Sequence, residues 1–377
     1  MKIVIAPDSF KDCMGALAVA EALGRGIGRI LPDALIQYIP MADGGEGTVD
    51  SIIGATGGRK LAVTVRDPLM REISSSYGIS GDGTTAVIEM AAASGLELLG
   101  RDERDPWITS TFGTGQLISH ALDQGCKKIL LGIGGSATND GGMGMARALG
   151  VKFLDAGGNE AEEGGGAAGK VTKIVPGGLD PRIGQTGIRV ACDVSNPLTG
   201  PDGASQVYGP QKGADPDMVC RLDSNLSRLA TLVREQLGKE VDRVPGAGAA
   251  GGLGAGLLAF LDASLVRGFE MVAESVNLED AIRNADLVIT GEGKMDSQTQ
   301  FGKTPFGVAQ MAKKHRKPVI AVAGTVDEGA DALYGAGFDV IMPIQEKPSD
   351  LASAIKQAPA LLERAGERIA RLIRLQI

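Results

Sequence analysis

The sequence has few aromatic residues, few histidines and no paired cysteines. Phe, Trp and Tyr make up 3% of its 377 residues, and there are two histidines and four cysteines. So few histidines, with cysteines this scattered, do not supply the ligand sets of zinc sites. Cys13, Cys126, Cys192 and Cys220 form no C-x-x-C pair. We therefore expect no disulfide framework, and a reducing compartment fits best.

Charge and hydropathy exclude two further classes of partner. The net charge of −8 argues against a nucleic-acid-binding protein, which would need a basic surface. No stretch reaches the roughly 18 unbroken apolar residues of a membrane-spanning helix. The first apolar run ends at Pro7 and is too short for a signal peptide. These features predict a cytoplasmic protein that binds neither nucleic acid nor membrane, and they leave its oligomeric state open.

Length and hydrophobic patterning predict a two-domain α/β protein. A chain of 377 residues exceeds what one hydrophobic core usually supports. Continuous apolar runs that end in Gly, Asp or Pro indicate strands buried on both faces of a parallel sheet. These runs cover 2–8, 36–43, 127–135, 286–293, 317–324 and 338–344. Helical patterns at 16–31, 111–125 and 305–315 alternate with them, as in a doubly wound, mostly parallel sheet.

The other segments predict a second, mixed α/β domain. Residues 60–91 alternate apolar and polar side chains around turn signals, which is typical of antiparallel strands. Further patterns indicate strands at 151–158 and 187–194, an amphipathic helix at 221–238, and a glycine-rich loop followed by a helix at 246–263.

These patterns divide the chain between the two domains. We predict a Rossmann-like or flavodoxin-like parallel-sheet domain from 1–59, 108–150 and 277–377. The mixed α/β domain is inserted as 60–107 and 151–276. An interdomain cleft between them would be the natural place for a ligand.

A glycine-rich run after the strand at 127–135 suggests a phosphate site. GIGGSA at 132–137 matches G-x-G-x-x-G/A, and Asp155 ends a strand about 20 residues later, as in a dinucleotide-binding fold. A nicotinamide-dependent oxidoreductase is therefore one hypothesis. Against it, Gly141 and Gly142 fall where the helix should begin, and GAGAAG at 246–251 matches the same pattern with no strand before it.

A second glycine motif, FGKTP at 301–305, resembles a P-loop only in part. The position of the earlier P-loop glycine is held by Ser297, and no strand immediately precedes the motif. Pro305 favours a helix start with Thr304 as its N-cap. Alternatively, Lys303 contacts a phosphate, and in either case the helix N-terminus can bind an anion.

Acidic residues are concentrated at predicted strand ends. Those beyond the parallel strands are Asp8, Asp43, Glu46, Glu292 and Asp296, and Asp193 ends a strand of the inserted domain. Ligands of open α/β sheets bind at this edge. One such residue would be explained as a turn former, but the whole set is not. With Lys11, Lys303 and the glycine loops, it suits a magnesium–nucleotide complex.

Eight sequence blocks then identify a family. They are APDSFK (6–11), MADGGEGT (41–48), TFGTGQLI (111–118), GIGGSATNDGG (132–142), ACDVSNPLTG (191–200), YGPQKGA (208–214), GAGAAGG (246–252) and TGEGKMDSQTQFGKTPFGVA (290–309). In this order, over essentially the whole chain, they resemble the type 1 glycerate kinase family. The resemblance implies two α/β domains and transfer of the γ-phosphoryl group of ATP to D-glycerate with Mg²⁺. It favours 2-phosphoglycerate over 3-phosphoglycerate as the product.

Chemistry assigns the catalytic and metal-binding residues. Asp193 is the predicted general base, which accepts the proton of the glycerate hydroxyl. Asn196 is expected to hydrogen-bond the substrate or a metal-bound water, and Lys11 completes the catalytic set. The candidate Mg²⁺ ligands are Asp43 and Asp296, with Glu46 and Glu292 as alternates.

A third set of residues is predicted to bind anionic oxygens of the substrates. It comprises Asp8, Ser9, Gly134, Gly135, Ser136, Thr138, Asn139 and Lys303, and Lys11 is expected to act with Ser9. The glycine block at 246–252 is either a second anion-binding loop or a site of close helix packing. A non-catalytic sugar-acid-binding protein is a third functional hypothesis besides the kinase and the oxidoreductase.

Overall fold

The structure is a computed structural model that describes residues 1–300 and 303–375. Phe301 and Gly302 of the FGKTP motif lie outside the described residues. Within the described ranges the strands are β1 (Lys2–Ile5), β2 (Leu35–Tyr38), β3 (Arg59–Arg66), β4 (Glu72–Ile79), β5 (Thr85–Glu89), β6 (Lys128–Gly132), β7 (Lys152–Leu154), β8 (Lys173–Val175), β9 (Gly187–Ala191), β10 (Ser264–Val266), β11 (Leu287–Met295), β12 (Val319–Val326) and β13 (Val340–Pro343).

The helices follow most of the predicted patterns. They are α1 (Ala16–Ile30), α2 (Thr48–Thr56), α3 (Ala91–Ser94), α4 (Phe112–Asp123), α5 (Met143–Ala148), α6 (Gly165–Ala168), α7 (Ala204–Tyr208), α8 (Pro216–Leu237), α9 (Ala249–Leu261), α10 (Gly268–Ser275), α11 (Leu278–Arg283), α12 (Thr304–Lys314) and α13 (Leu351–Arg374). In the described part of the chain, none of them has the length and apolar character needed to cross a bilayer.

The chain forms two compact units. The first consists of residues 1–43, 50–57 and 269–377, and the second of residues 44–49 and 58–268. The first unit contains a five-stranded parallel sheet in the order β13-β12-β11-β1-β2. All five of its strands overlap the apolar runs that predicted parallel strands, and β2, β11 and β12 extend beyond those runs by one or two residues. Its core is built from buried side chains such as Ile3, Ile5, Leu23, Ile289 and Leu362.

The second unit contains a six-stranded mixed sheet in the order β10-β9-β6-β5-β4-β3. The strands from β10 to β5 are parallel, whereas β4 runs antiparallel to both β5 and β3. The β3–β4 hairpin confirms the antiparallel pattern predicted within residues 60–91. A separate antiparallel pair, β7–β8, lies in the same unit. The fold class, a mostly parallel sheet and a second mixed α/β unit, is confirmed.

Residues 108–150 differ from the expected arrangement. We predicted that they join the first parallel sheet, but β6 pairs with β5 on one side and with β9 on the other, in the second unit. The assignment of β6 to the first sheet was therefore wrong. A continuous apolar run shows that both faces of a strand are buried. It does not show which of the two sheets the strand joins.

Glycines allow α1 and α13 to pack closely in the first unit. A Cβ atom on Gly26 would lie 2.8 Å from the carbonyl carbon of Glu363 and 2.9 Å from the backbone nitrogen of Glu367. Arg25 and Arg29 form ion pairs with Glu363 at 2.7 Å on the exposed side of this contact. Exposed ion pairs contribute little to stability. The close backbone approach at Gly26 therefore stabilises the α1–α13 pair more than the ion pairs do.

Gly26→Ala should lower the free energy of unfolding by about 1–3 kcal/mol, because the methyl group overpacks the contact. Gly28 lies on the same helix, and a Cβ atom there would have nothing within 4 Å. Gly28→Ala should therefore stabilise the protein by about 0.5–1 kcal/mol through helix propensity alone. Urea denaturation of both variants measures the difference. Equal effects of the two substitutions would contradict close packing at Gly26.

Candidate functional site

Three carboxylates lie at the carboxyl edge of the sheet in the first unit. Asp8 follows β1, Asp43 follows β2, and Glu292 lies in the last part of β11. Because β1 lies between β11 and β2, the parallel order brings these strand ends together. The backbone N–H of Asp8 donates to the Gly291 carbonyl at 2.8 Å. The strand β11 continues past Glu292, so Asp296 follows its actual end.

Burial is the largest influence on the pKa of Asp8. It raises the pKa of this carboxyl to about 6, and the negative charge of Asp43 acts in the same direction. The Thr304 hydroxyl, the charge of Lys11 and a 2.6 Å hydrogen bond from the Ser9 backbone N–H oppose the increase in pKa. The structure thus brings together the predicted residues Asp8, Ser9, Lys11 and Asp43.

Glu292 has a similar environment. Its side chain is largely buried, and burial raises its pKa, as does the neighbouring charge of Asp8. The Thr299 hydroxyl donates to Glu292 at 2.8 Å, and the Lys303 ammonium lies 3.5 Å from it. The negative charge of Asp43 raises the pKa of Asp8, and that of Asp8 raises the pKa of Glu292, so a cation bound among these carboxyl groups would be stabilised.

This donor set fits a nucleotide-bound Mg²⁺ better than a metal held by protein alone. Within residues 1–300 and 303–375, no three Asp, Glu, His or Cys side chains converge as a metal site. Mg²⁺ usually binds one or two carboxylates, and waters and substrate phosphates complete its coordination. Asp8 and Glu292 could supply such carboxylates.

Asp296 follows β11 as expected, and the start of α12 differs in detail from the sequence interpretation. The Gln298 backbone N–H donates to Asp296 at 2.9 Å, and this bond lowers the pKa of Asp296. Asp296 thus shapes the turn after β11. The N-cap of α12 is Lys303, and Thr304 is the first helical residue, so the prediction of Thr304 as N-cap was wrong. Pro305 occupies the second helical position, where the missing N–H costs nothing.

In the second unit, the glycine loop (residues 133–142) connects β6 to α5. Gly135 has a φ of +75°, a conformation that side chains strongly disfavour. The Gly135 carbonyl accepts a hydrogen bond from Leu96 at 2.8 Å. Gly134 and Gly135 form an exposed tip, whereas Ser136, Thr138 and Asn139 are buried.

This geometry does not match a dinucleotide fingerprint. The helix that should begin at the end of GIGGSA begins only at Met143, after Gly141 and Gly142 at positive φ. Asp155 lies in the turn after β7, where the backbone N–H groups of Gly157 and Asn159 donate to its carboxylate. The oxidoreductase hypothesis therefore lacks its main structural support.

Asp140, which sequence analysis did not single out, organises the glycine loop from inside. Its buried carboxylate accepts hydrogen bonds from the Thr111 backbone N–H at 2.9 Å and the Thr111 hydroxyl at 2.7 Å. The N–H groups of Gly142 and Gly144 each donate to it at 3.1 Å. The only sequence signal was an Asp directly before a glycine pair, which also describes an ordinary turn.

Lys212 is the second residue that sequence analysis missed. Its side chain is almost fully buried, with the residue 2% exposed. Its ammonium donates to the Ser136 hydroxyl at 2.6 Å and to the Thr138 carbonyl at 2.7 Å. Burial lowers the pKa of Lys212 to about 7, although the charge of Asp140 acts in the opposite direction. The YGPQKGA block had the composition of an exposed loop, so its burial could not be foreseen.

Asp193 and Asn196 follow β9 at the carboxyl edge of the second sheet. The exposed Asp193 accepts a hydrogen bond from the Gly268 backbone N–H at 3.0 Å. The Asn196 side chain donates to the Asp202 carbonyl at 2.8 Å and accepts from the Tyr208 hydroxyl at 2.8 Å. Asn196 therefore holds its own loop in place, and its predicted contact with substrate stays a prediction.

Glu46 is exposed on the short loop of residues 44–47. This loop is held at the same edge of the second sheet. The Val49 backbone N–H donates to Glu89, the last residue of β5, at 2.8 Å, and a Cβ atom on Gly134 would lie 3.8 Å from Gly45. Glu46 belongs to the second unit and Asp43 to the first.

The glycine block at 246–252 packs against the glycine loop. Gly251 and Gly252 have positive φ within α9. A Cβ atom on Gly251 would lie 2.7 Å from the Asn139 Cα, and one on Gly252 would lie 2.9 Å from the Gly141 Cα. These distances support the close-packing alternative for the block rather than a second anion loop.

Comparison with known proteins covers nearly the whole chain. The sequence profile of the glycerate kinase family matches residues 3–374. Glycerate kinase from Halalkalibacterium halodurans C-125 is 51% identical, with 98% of this chain and 97% of the relative covered. Glycerate 2-kinase from Escherichia coli K12 is 50% identical, with 98% and 97% covered.

A crystal structure from Salmonella typhimurium LT2, described provisionally as glycerate kinase 2, matches with a TM-score of 0.93 and 48% identity. It covers 100% of this chain and 98% of that one. Likeness of this extent, in sequence and in fold, defines a mixed α/β phosphotransferase. The chain belongs to the glycerate kinase family, and the resemblance found in the eight sequence blocks is confirmed.

Asp8 should make the protein less stable as the pH rises from about 4 to about 6. Its pKa is about 6 in the folded protein, against an ordinary value of 3.8. The native state therefore keeps the proton to a higher pH than the unfolded state, and the free energy of unfolding falls across this interval. Asp8→Asn should remove this loss, which amounts to up to about 3 kcal/mol, and should raise stability at pH 7.

Urea denaturation at several pH values checks this prediction, and Asp296→Asn is a control of opposite sign. The lowered pKa of Asp296 stabilises the fold above the ordinary carboxyl pKa and is lost as the pH falls. Asp296→Asn should therefore reduce stability near neutral pH. An Asp8→Asn profile parallel to that of the wild type would show that the Asp8 charge is not buried.

Proposed function

We propose that the protein transfers the γ-phosphoryl group of ATP to D-glycerate with Mg²⁺, and that the product is 2-phosphoglycerate. The observation that carries this proposal is 50% identity over 98% of the chain to the glycerate 2-kinase of Escherichia coli K12. The geometry of both units supports it, because phosphoryl transfer depends on positioning and charge neutralisation rather than on covalent chemistry.

The glycine loop supports the binding of an anion. Its exposed tip at Gly134 and Gly135 lets a ligand approach the backbone closely. Directly behind the tip are the Ser136 hydroxyl and the buried ammonium of Lys212. A cation in a water-poor environment interacts strongly with negative charge. We assign a carboxylate or phosphate oxygen of the substrates to this loop.

The position of Asp193 suits a base that accepts the proton of the acceptor hydroxyl. The Gly268 N–H orients one of its carboxylate oxygens. In the proposed reaction the glycerate hydroxyl oxygen bonds to the γ-phosphorus, and the bond from that phosphorus to the bridging oxygen of ADP breaks. The hydroxyl proton passes to the Asp193 carboxylate.

The carboxylates of the first unit are assigned to the metal. Bound there, Mg²⁺ would neutralise negative charge on the nucleotide phosphates. The pair formed by Asp8 and Glu292 is the most buried candidate, and Asp43 lies close enough for its charge to act on Asp8. Asp296 and the exposed Glu46 stay predictions as ligands. Lys303, 3.5 Å from Glu292, would balance charge at the same edge.

Incubation with D-glycerate and MgATP tests the proposed activity. We expect stoichiometric ADP and a phosphorus NMR spectrum of 2-phosphoglycerate, with both lost when the metal is chelated and restored by Mg²⁺ or Mn²⁺. A 3-phosphoglycerate spectrum would reassign the acceptor hydroxyl. Reduction of a nicotinamide cofactor without ADP would support the oxidoreductase, and glycerate binding without either activity would support a binding protein.

Asp193→Asn should lower kcat by about 10²–10⁴ while the protein stays folded. An asparagine oxygen can still accept the Gly268 N–H, so the local structure should be kept. Asp217→Asn, an exposed substitution in the first turn of α8 in the same unit, is the matched control and should keep wild-type kcat. An Asp193→Asn enzyme with more than about a third of wild-type kcat would remove Asp193 from the role of base.

A further inference from the structure

The strongest unexplained feature of the second unit is the buried ammonium of Lys212. Its two hydrogen-bond partners, the Ser136 hydroxyl and the Thr138 carbonyl, are both neutral. A lysine ammonium has three N–H donors, and these contacts use two. Among the described residues, no carboxylate lies within ion-pair distance of Lys212. A buried charge without an opposite charge is costly to keep.

A second, independent feature lies beside it. The Thr138 hydroxyl is fully buried and has no hydrogen-bond partner among residues 1–300 and 303–375. Leaving a buried hydroxyl without a hydrogen-bond partner destabilises the fold. Thr138 follows closely on the exposed tip of the glycine loop. The Lys212 ammonium donates to the backbone carbonyl of this same residue, so a cation with an unused donor and a hydroxyl without a partner meet at Thr138.

The charged groups around Lys212 do not supply the missing partner. Asp140 is the acidic group whose charge reaches Lys212, but Thr111, Gly142 and Gly144 donate to its carboxylate. From α7, the Tyr208 hydroxyl donates to Asn196. The backbone of Arg104 approaches Gly213, the residue after Lys212, but a guanidinium cannot pair with an ammonium. An external anion is the simplest partner for the ammonium.

We propose that Lys212 and Thr138 form an anion-binding site behind the tip of the glycine loop, and that Lys212 takes up a proton when the anion binds. The identity of the anion rests on the proposed function. It is either the carboxylate of D-glycerate or a phosphate oxygen of the nucleotide, and both present the same anionic oxygens. Lys212 is then a binding residue, and its charge is completed by the substrate.

Proton uptake is expected because a bound anion attracts the protonated form of Lys212. With a pKa of about 7, Lys212 is mostly neutral at pH 8 in the free protein. An anion beside it favours the charged form and raises the pKa. Binding at pH 8 should therefore draw up to about one proton from the buffer, and binding at pH 6 almost none. The affinity for the anion should fall as the pH rises from 7 to 9, by up to about tenfold per pH unit.

Calorimetry of the wild-type protein tests this directly. D-glycerate and ADP are titrated separately at pH 6 and pH 8, each in two buffers with different ionisation enthalpies, and glycerol is the uncharged control. We expect uptake of about 0.5–1 proton at pH 8 with one of the two anions, and none with glycerol. Uptake with glycerate would identify the bound anion as the glycerate carboxylate, and uptake with ADP would identify it as a nucleotide phosphate. No uptake at pH 8 with either ligand overturns the proposal.

Two substitutions separate ligand binding from a purely structural role. Thr138→Val removes a hydroxyl that has no partner, so Tm should stay the same or rise, whereas KM for the assigned ligand should increase about tenfold. Lys212→Arg keeps a permanent charge and should bind without proton uptake. Lys239→Met is the control: Lys239 caps the end of α9 through the Ala259 carbonyl, and its loss should leave proton uptake unchanged.

The results also separate this site from the proposed function. Proton uptake with D-glycerate, but no ADP formation from MgATP, would leave the anion site intact and refute the kinase activity. ADP formation from MgATP without proton uptake would confirm the kinase activity and refute the anion site. A Thr138→Val protein that loses stability and keeps its KM would assign the hydroxyl to the fold and contradict its part in the anion site.

Discussion

The buried carboxylate of Asp140 is the constraint on which the second unit's loop depends. Thr111, Gly142 and Gly144 donate hydrogen bonds to it, and the Thr111 hydroxyl in turn accepts from the Met145 backbone N–H at 2.9 Å. These bonds tie the start of α4 to the start of α5 and hold the chain between them. That stretch of chain includes Ser136 and Thr138, which contact Lys212.

The two units present different chemistry at the carboxyl edges of their sheets. In the first unit the strand ends carry Asp8, Asp43 and Glu292, whose mutual repulsion suits a cation. In the second, a buried lysine stands behind an exposed glycine tip, which suits an anion. A kinase must hold both a metal and negatively charged substrates, and under the proposed function each unit would bind one of the two.

The parts that sequence could predict are those governed by local pattern. Apolar runs predicted the strands of the first sheet, because strands buried on both faces are apolar throughout. Alternation predicted the β3–β4 hairpin, because strands buried on one face alternate apolar and polar residues. The partner of β6 could not be found in this way. Pairing is decided by contacts between distant segments, such as those of Leu131 with Ile88 and Val190.

The candidate site was predictable to a similar degree. Asp8, Asp43 and Glu292 could be proposed as a set because parallel strands bring their carboxyl ends together. Lys212 could not, because nothing in YGPQKGA shows that its ammonium is removed from water and placed under the glycine loop. For Asn196 the sequence did not show that its amide also holds its own loop through Asp202 and Tyr208.

The strand order of the first sheet has a consequence for synthesis on the ribosome. β1 is made before residues 58–268, but its neighbour β11 is made only after the whole of that segment. Until then, β1 and β2 are a two-stranded fragment with an open apolar edge, and α1 lacks the α13 surface that covers it. Such edges are prone to wrong pairing. We expect the second unit to fold during synthesis, whereas the first unit can fold only after β11 and α13 have been made. A chaperone would be needed most in the interval between these two events.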